Sequence, residues 1–382
     1  MIFRGRLKSS PVIDVTFDGI SMNYQSIGKV ELMLDENKHD TLIVTIRGMS
    51  PRLLVEMINV PIKATWYVGS TGHTFIGYVY SVNPQTVSKE GLVNNSPFQR
   101  ADVVCLGASS AMRGKQTRVW SDVSLNTIVS KIAEDYRISY SVPSVTPTFQ
   151  RLFQDGKSDW EFLVNTCTDV GLSVTMHGTH LTLWDNVRYL ARRSSYHEIL
   201  SLRTPAARTV DAPGRILDFS ASLKTNSGVV ASGVDRSGTV FSSVGPYPAN
   251  TGAGREATST WVDTIPINFS EFDLADSVIR SANTRTFPFT AEATVTGIAG
   301  CIPGGIVNVV DFGSDIDGLW CVSGVKHVAM NDRFITKLSL ASFTHNADPV
   351  DLPPSISLLE PPTSTLVEGS WVSSLMMSET YA

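Results

Sequence analysis

SDVSLNTIVSKIAEDYRISYSV, residues 121–142, and SDWEFLVNTCTDVGLSVTMHGTHLTLWD, residues 158–185, interrupt a chain that otherwise reads as β. In the first, Leu125, Ile128, Val129, Ile132 and Tyr136 recur at helical spacing behind a Ser124 able to cap the first turn. In the second, Ser158 and Glu161 stand three apart, as a capping box requires, and Trp160, Leu163, Val164 and Cys167 line one face. Gly171 sits where a helix end wants a residue free to take positive φ. Leu172, Val174 and Met176 then alternate, His177-Gly178-Thr179-His180 turns the chain, and Leu181 and Leu183 alternate back. The spacing predicts helix–strand and then helix–hairpin, a compact α/β module, with a polar patch between its two parts.

On the N-terminal side the pattern is strand-rich. PVIDVTFDGI alternates, VELMLDENKHDTLIVTIRG places a polar tip between two alternating runs, and SPRLLVEMI is a short helix-like patch. VPIKATWYVGSTGHTFIGYVYSV and FQRADVVCLGASSAM add three more strands. Beyond the module, GRILDFSASLKTNSGVVASGVDRSGTVFSS reads as two or three strands, followed by a Gly/Pro/Ser-rich loop and a helix around FDLADSVIRSANTR. The last β region repeats the first: Pro61–Val68 matches Pro303–Val310, Val79 and Val82 match Val325 and Val328, and Phe98 matches Phe334. The expected organisation is a β-barrel domain at 1–111, the module at 112–206, a second barrel at 207–345 with an insertion at 243–290, and a Pro-rich arm at 346–382.

Composition narrows the function classes. The chain has 382 residues, 42% hydrophobic and 18% charged, enough for two or three domains with real cores. A formal charge of -5 argues against a nucleic-acid-gripping surface. No apolar run approaches bilayer length, and the N-terminus lacks the layout of a signal peptide. Cys105, Cys167, Cys301 and Cys321 are scattered without a CxxC and read as small buried hydrophobes.

The succession of barrel, K-I-A helix, strand, S-D-W-E-F-L helix, hairpin and second barrel resembles the tail or baseplate hub family of bacteriophages. That family includes the late-control D tail proteins and the hub portion of type VI secretion spike proteins. Pro303-Gly304-Gly305, Asp317-Gly318-Leu319-Trp320, Val322 to Val325, His327 and Thr336 to Leu340 carry the most specific part of the likeness. The resemblance covers roughly residues 10 to 345 and implies a mainly β (α+β) fold of two tail-tube-like barrels joined through the module. It also implies a homotrimeric, pseudo-six-fold ring between a hexameric tail tube or distal tail protein and a tip, spike or other baseplate protein. DNA would pass through its lumen at ejection, and the chain would sit in the virion tail after assembly in the host cytoplasm. No enzymatic activity and no cofactor are implied. No needle repeat, lysozyme or OB module follows the second barrel, so a piercing spike would be another protein. The alternatives are a tail-associated cell-wall hydrolase, or a hub or spike component of a contractile injection or type VI secretion system.

The expectation is no catalytic, cofactor or metal site. His177 and His180 flank a hairpin tip with Asp185 nearby, but two histidines on a turn are turn residues first. Cys167 and His177 imitate a thiol and base, yet Cys167 falls on an apolar helix face. GAGRE lacks the Lys-Ser/Thr of a phosphate loop, and Asp315 and Asp317 lie in a polar turn. Trp160, Phe162 and Trp320 are expected as core anchors, and Gly171, Gly304 and Gly318 as turn residues. Arg188, Arg192, Arg193, Arg203, Arg208 and Arg215 form a basic stretch that suits either a docking surface or a solvated linker. The arm at 346–382 holds Leu366, Val367, Trp371, Leu375 and Met376, too apolar for a free tail, and is read as a partner-docking segment.

Overall fold

A computed structural model describes residues 12–22, 26–48, 56–68, 71–85, 100–143, 146, 148–170, 172–184, 200–203, 214–223, 229–234, 240–244, 261–265, 289–313, 316–330 and 333–342. The arm, the helix expected near residue 272 and Gly171 lie outside these. The described chain is mainly β, dominated by one large sheet that is almost wholly antiparallel.

The N-terminal half of that sheet contains β1 (Val12–Phe17), β2 (Ile20–Ser21), β3 (Ile27–Asp35), β4 (Thr41–Arg47), β5 (Pro61–Val68), β6 (Thr71–Gln85) and β7 (Arg100–Gly107). The alternation read in the sequence is what folds it. Val30, Leu32 and Leu34 of β3 and Leu42, Val44 and Ile46 of β4 turn inward, while Lys29, Glu31 and Met33 face out. Burying each such side chain contributes about 1.5–3 kcal/mol.

The module follows. A short 3-10 turn at Ala108–Arg113 leads into β8 (Lys115–Ser124), α1 (Leu125–Asp135), β9 (Ser139–Ser141), β10 (Thr148–Ser158), α2 (Asp159–Asp169), β11 (Ser173–His177) and β12 (His180–Trp184). Both expected caps form: Ser124 Oγ accepts from the Thr127 amide, and Ser158 Oγ from the Glu161 amide, each at 3.1 Å. The β11–β12 hairpin turns at Gly178, whose φ is +57°, and β9 joins it in parallel. The polar patch expected between the two parts is instead β10, paired along its length with β8. The module has its own core of Leu125, Ile128, Ile132, Phe149, Leu163, Cys167 and Leu172.

The C-terminal half contains β13 (Leu200–Arg203), β14 (Ile216–Leu223), β18 (Phe289–Thr296), β19 (Ile306–Val310), β20 (Gly318–Met330) and β21 (Arg333–Ser342). Between β14 and β18, strands β15 (Val229–Val234), β16 (Val240–Val244) and β17 (Trp261–Ile265) form a separate three-stranded sheet in the order β16-β15-β17.

The two halves share one plan. The N-terminal order is β3-β4-β7-β6-β5-β1, and the C-terminal order is β14-β18-β21-β20-β19-β13. Their bulges coincide: between Ile27 and Lys29 against Ile216 and Asp218, and between Val79 and Ser81 against Val322 and Gly324. The turn ahead of the fifth strand repeats bond for bond. The Val60 amide donates to Met57 O as the Gly305 amide does to Ile302 O, and Asn59 and Gly304 both hold positive φ. Val79 therefore corresponds to Val322 and Val82 to Val325, three residues off the sequence alignment. That alignment matched prolines, whereas the bulge and turn hydrogen bonds fix the register. No pairing among the described residues closes either half into a barrel; β20 joins β3 instead, and one apolar core runs through both halves.

Candidate assembly interface

The joint between the halves is a strand pair. Gly324 to Met330 of β20 run antiparallel to Asp35 to Lys29 of β3. A Cβ built on Gly324 would lie 2.4 Å from Asp35 Oδ1, so glycine allows this close approach. Glu31 pairs with Lys326 across the joint at 3.3 Å and with Lys29 of its own strand at 2.8 Å. Each partner has a counterpart with a side left open among the described strands. β14, the counterpart of β3, pairs only with β18 among the described strands. β6, the counterpart of β20, holds β7 on one side and β5 through Tyr78 on the other, and Ser81–Gln85 have no described partner on the β5 side. The exposed Leu217, Ser220, Ala221 and Ser222 of β14 fit an uncovered edge.

The module grips the tip of the β3–β4 hairpin. The Asn37 amide donates to Val174 O, the Val174 amide donates to Asn37 Oδ1, both at 2.8 Å, and Ser173 Oγ donates to Glu36 at 3.0 Å. Beneath this clasp lies a buried cluster drawn from three parts of the chain. The His73 ring is 5.2 Å from that of Trp66 and 5.8 Å from that of His177, and the Trp66 ring is 6.0 Å from that of His327. His177 Nδ1 stands 3.9 Å from the buried Asp40 carboxyl, and both its ring nitrogens, His73 Nε2 and Trp66 Nε1 are buried with no hydrogen-bond partner among the described residues. Burial pushes His73 and His177 down to about 3, with the neighbouring imidazoles adding to it, and His327 down to about 4. Burial, with Asp35 nearby, holds Asp40 well above the usual carboxylate range. His39, packed on Trp160 at 5.0 Å, is pushed down to about 4 by burial and Arg113.

Within the module a second buried network ties its strands to its helices. Asp159, fully buried, accepts from Tyr136 Oη at 2.8 Å and Gln154 Nε2 at 2.6 Å. Arg118 pairs with Asp159 at 3.4 Å and Asp135 at 3.2 Å. Burial, then the hydrogen bond to Asp159, pushes the Tyr136 phenol up. Neither network is visible in the sequence, because each links residues with no local pattern in common.

The residues singled out for chemistry come apart in the fold. His177 points to Asp40 and His73, whereas His180 holds Ser139 Oγ and Ser141 Oγ at 2.8 Å each. Asp185 and Asp315 lie outside the described residues, and Asp317 accepts from the Phe312 amide at 2.8 Å. Among the described residues no group of three His, Cys, Asp or Glu is placed to hold a metal. All four cysteines are buried free thiols, pushed up by burial. Of the basic stretch, Arg203 and Arg215 are described and bridge each other in parallel; the others are not.

Trp160 and Phe162 are buried, the latter stacked on Trp120 at 6.2 Å. Gly304, at φ +88°, lies against the Trp184 ring, and a Cβ there would sit 3.0 Å from it. Gly318, at φ +145°, opens β20. Trp320 is buried, its Nε1 donating to Ile316 O at 3.0 Å. Leu366, Val367, Trp371, Leu375 and Met376 lie outside the described residues. Among those described, no helix is long and apolar enough to cross a membrane.

No family model and no curated protein matches the chain. Solved structures do. A tail protein from Neisseria meningitidis MC58 aligns with TM-score 0.61 at 14% identity, over 87% of this chain and 96% of its own. A 43 kDa tail protein of prophage MuSo2 from Shewanella oneidensis gives 0.59 at 14% identity, over 87% and 98%. An E. coli type VI secretion component, described as structurally similar to T4 tail proteins gp27 and gp5, gives 0.56 at 12% identity, over 89% and 80%. At these identities the likeness is one of fold: the chain shares the fold of these two tail proteins and of the type VI secretion component.

Proposed function

We propose that this chain is a structural hub of a phage tail tip or baseplate, three copies of which close a pseudo-six-fold ring. The ring joins a hexameric tail tube or distal tail protein to a trimeric tip or spike, within the virion, after assembly in the host cytoplasm. A six-fold tube meets a three-fold tip without mismatch when each of three subunits carries two equivalent halves. The observation that carries the reading is the pair of edges, on β6 and β14, left open among the described strands, counterparts of the two strands already joined inside the chain. Repeating the β20–β3 register between copies sets Val82 against Leu223, Asn83 against Ser222 and Gln85 against Ser220. Pro84 falls opposite Ala221 and costs that joint one donor.

The outward face of the joined sheet suits a lumen. It mixes the cations Lys29, Arg47, Arg100, Lys326 and Lys337 with the acids Glu31, Asp35 and Asp102, Glu31 holding both Lys29 and Lys326, so passing DNA meets a polar wall of mixed charge. Conduction of this kind needs no cofactor and no catalytic residue. The arm at 346–382 docks onto neighbouring subunits through Leu366, Val367, Trp371, Leu375 and Met376.

A paired-cysteine experiment tests the ring. Asn83→Cys with Ser222→Cys in one chain is expected to give a covalent trimer on oxidation, and either substitution alone a monomer on a denaturing gel. Monomer from the double variant, under conditions where native particles assemble, contradicts the ring.

A further inference from the structure

Strands β8 and β10 form a two-stranded ribbon, and among the described residues neither of its outer edges is paired. Its inner face is built: Phe149 and Gln154 are buried, and Trp120 and Leu152 pack on the module core. Its outer face is not. Val119 and Phe153 stand directly opposite each other in register and are 57% and 59% exposed. Apolar cross-strand pairs stabilise a sheet when something covers them, and an open edge beside one is a ready template for another strand. Arg151 lies over the Phe153 ring at 4.8 Å, and Lys115 and Lys157 are also exposed, against Asp122 and Asp155. Arg118 is turned inward to Asp135 and Asp159.

The arm has the complementary chemistry. Residues 346–382 contain Asp348, Asp351, Glu360, Glu368 and Glu379 and no lysine or arginine. Within them TLVEGSWVSSLMM, residues 365–377, would place Val367, Trp371, Leu375 and Met377 on one side of an extended strand. From Ser342, where β21 ends, the chain to Leu366 can reach up to about 80 Å when extended, enough to cross one subunit.

We propose that residues 365–377 of this chain add as a strand to the β8–β10 ribbon, covering Val119 and Phe153 with Trp371 and Leu375. This rests on the reading of residues 346–382 as a docking arm and gives that arm its seat. Backbone pairing along an open edge supplies affinity, and the apolar pair, with Arg151 beside it, selects an apolar strand that carries no lysine or arginine.

The test uses the full-length protein with photoreactive benzoylphenylalanine in place of Phe153, irradiated after assembly and mapped by mass spectrometry. Cross-links are expected within residues 365–377, and Trp371→Ala with Leu375→Ala should lower their yield about tenfold or more, as loss of a buried aromatic anchor does. Cross-links confined to other segments or to another protein overturn the proposal, as does a yield unchanged by the double substitution. The assembly state of that double variant separates the two readings. Weakened assembly with cross-links elsewhere removes the ribbon seat alone, whereas intact assembly without arm cross-links removes the docking arm as well.

Discussion

The N-terminal and C-terminal halves of the large sheet have the same strand order and the same two bulges, yet treat the connection between their first two strands differently. In the first half, residues 36–40 close the β3–β4 hairpin and clasp the module through Glu36 and Asn37. In the second, residues 224–288 connect β14 to β18 and carry a three-stranded sheet of their own. The outer edge of β3 is held by β20, while that of β14 is open among the described strands. The framework persists where ladder hydrogen bonds and buried alternation fix it. It diverges at hairpin tips, on which no other strand depends, and at the edge that subunit contact would complete.

Substitution on the two edge strands should separate the halves most. Leu32→Ala removes a fully buried side chain beside the internal joint and is expected to cost about 2–5 kcal/mol in denaturant unfolding. Ser222→Ala, on the exposed β14, should stay within about 0.5 kcal/mol in the isolated chain. Comparable costs would mean that the β14 edge is already covered and that the halves do not differ as described.

Acid should act next, at the clasp present in the first half alone. His73 and His177 sit at about 3 in the folded chain against 6.5 unfolded, so below 6.5 the unfolded chain takes up protons that the folded one refuses. Their contribution is complete above pH 6.5 and is lost as pH falls toward 3, roughly 2–3 kcal/mol for each imidazole by pH 4.5. Asp40, raised in the fold, works in the opposite sense and offsets part of this loss. His177→Gln is expected to flatten the dependence of unfolding free energy on pH between 6.5 and 4.5, and Asp40→Asn to steepen it. Unchanged slopes in both variants would place the acid response elsewhere.

The smallest effect concerns the two module helices, whose caps are built alike. Ser124→Ala and Ser158→Ala should each cost about 1 kcal/mol. Thermal unfolding of the two variants checks this, and a much larger loss for Ser158→Ala would show that the adjoining Asp159 network depends on the cap.

What was legible in the sequence was local. Ser124, Ser158 and the Leu172–Leu183 alternation announce themselves within a few residues, because caps and strand periodicity are short-range physics. The β8–β10 ribbon was missed because KQTRVWSDVS and TFQRLFQDGKS bury little, so their alternation has no apolar face strong enough to read. The β20–β3 joint and the cluster of Asp40, Trp66, His73, His177 and His327 join distant parts of the chain through tertiary pairing, which no periodicity encodes. The repeat was visible in outline, but its register was not, since bulges and positive-φ turns rather than matching prolines set it.

Symmetry-free cryo-electron microscopy of the assembled tail tip tests the central claim most directly. The expected result is three copies of this chain around the axis, β6 of each paired with β14 of the next in the register that β20 and β3 adopt internally. Six copies around the axis, or three copies whose β6 and β14 edges do not meet, would contradict it.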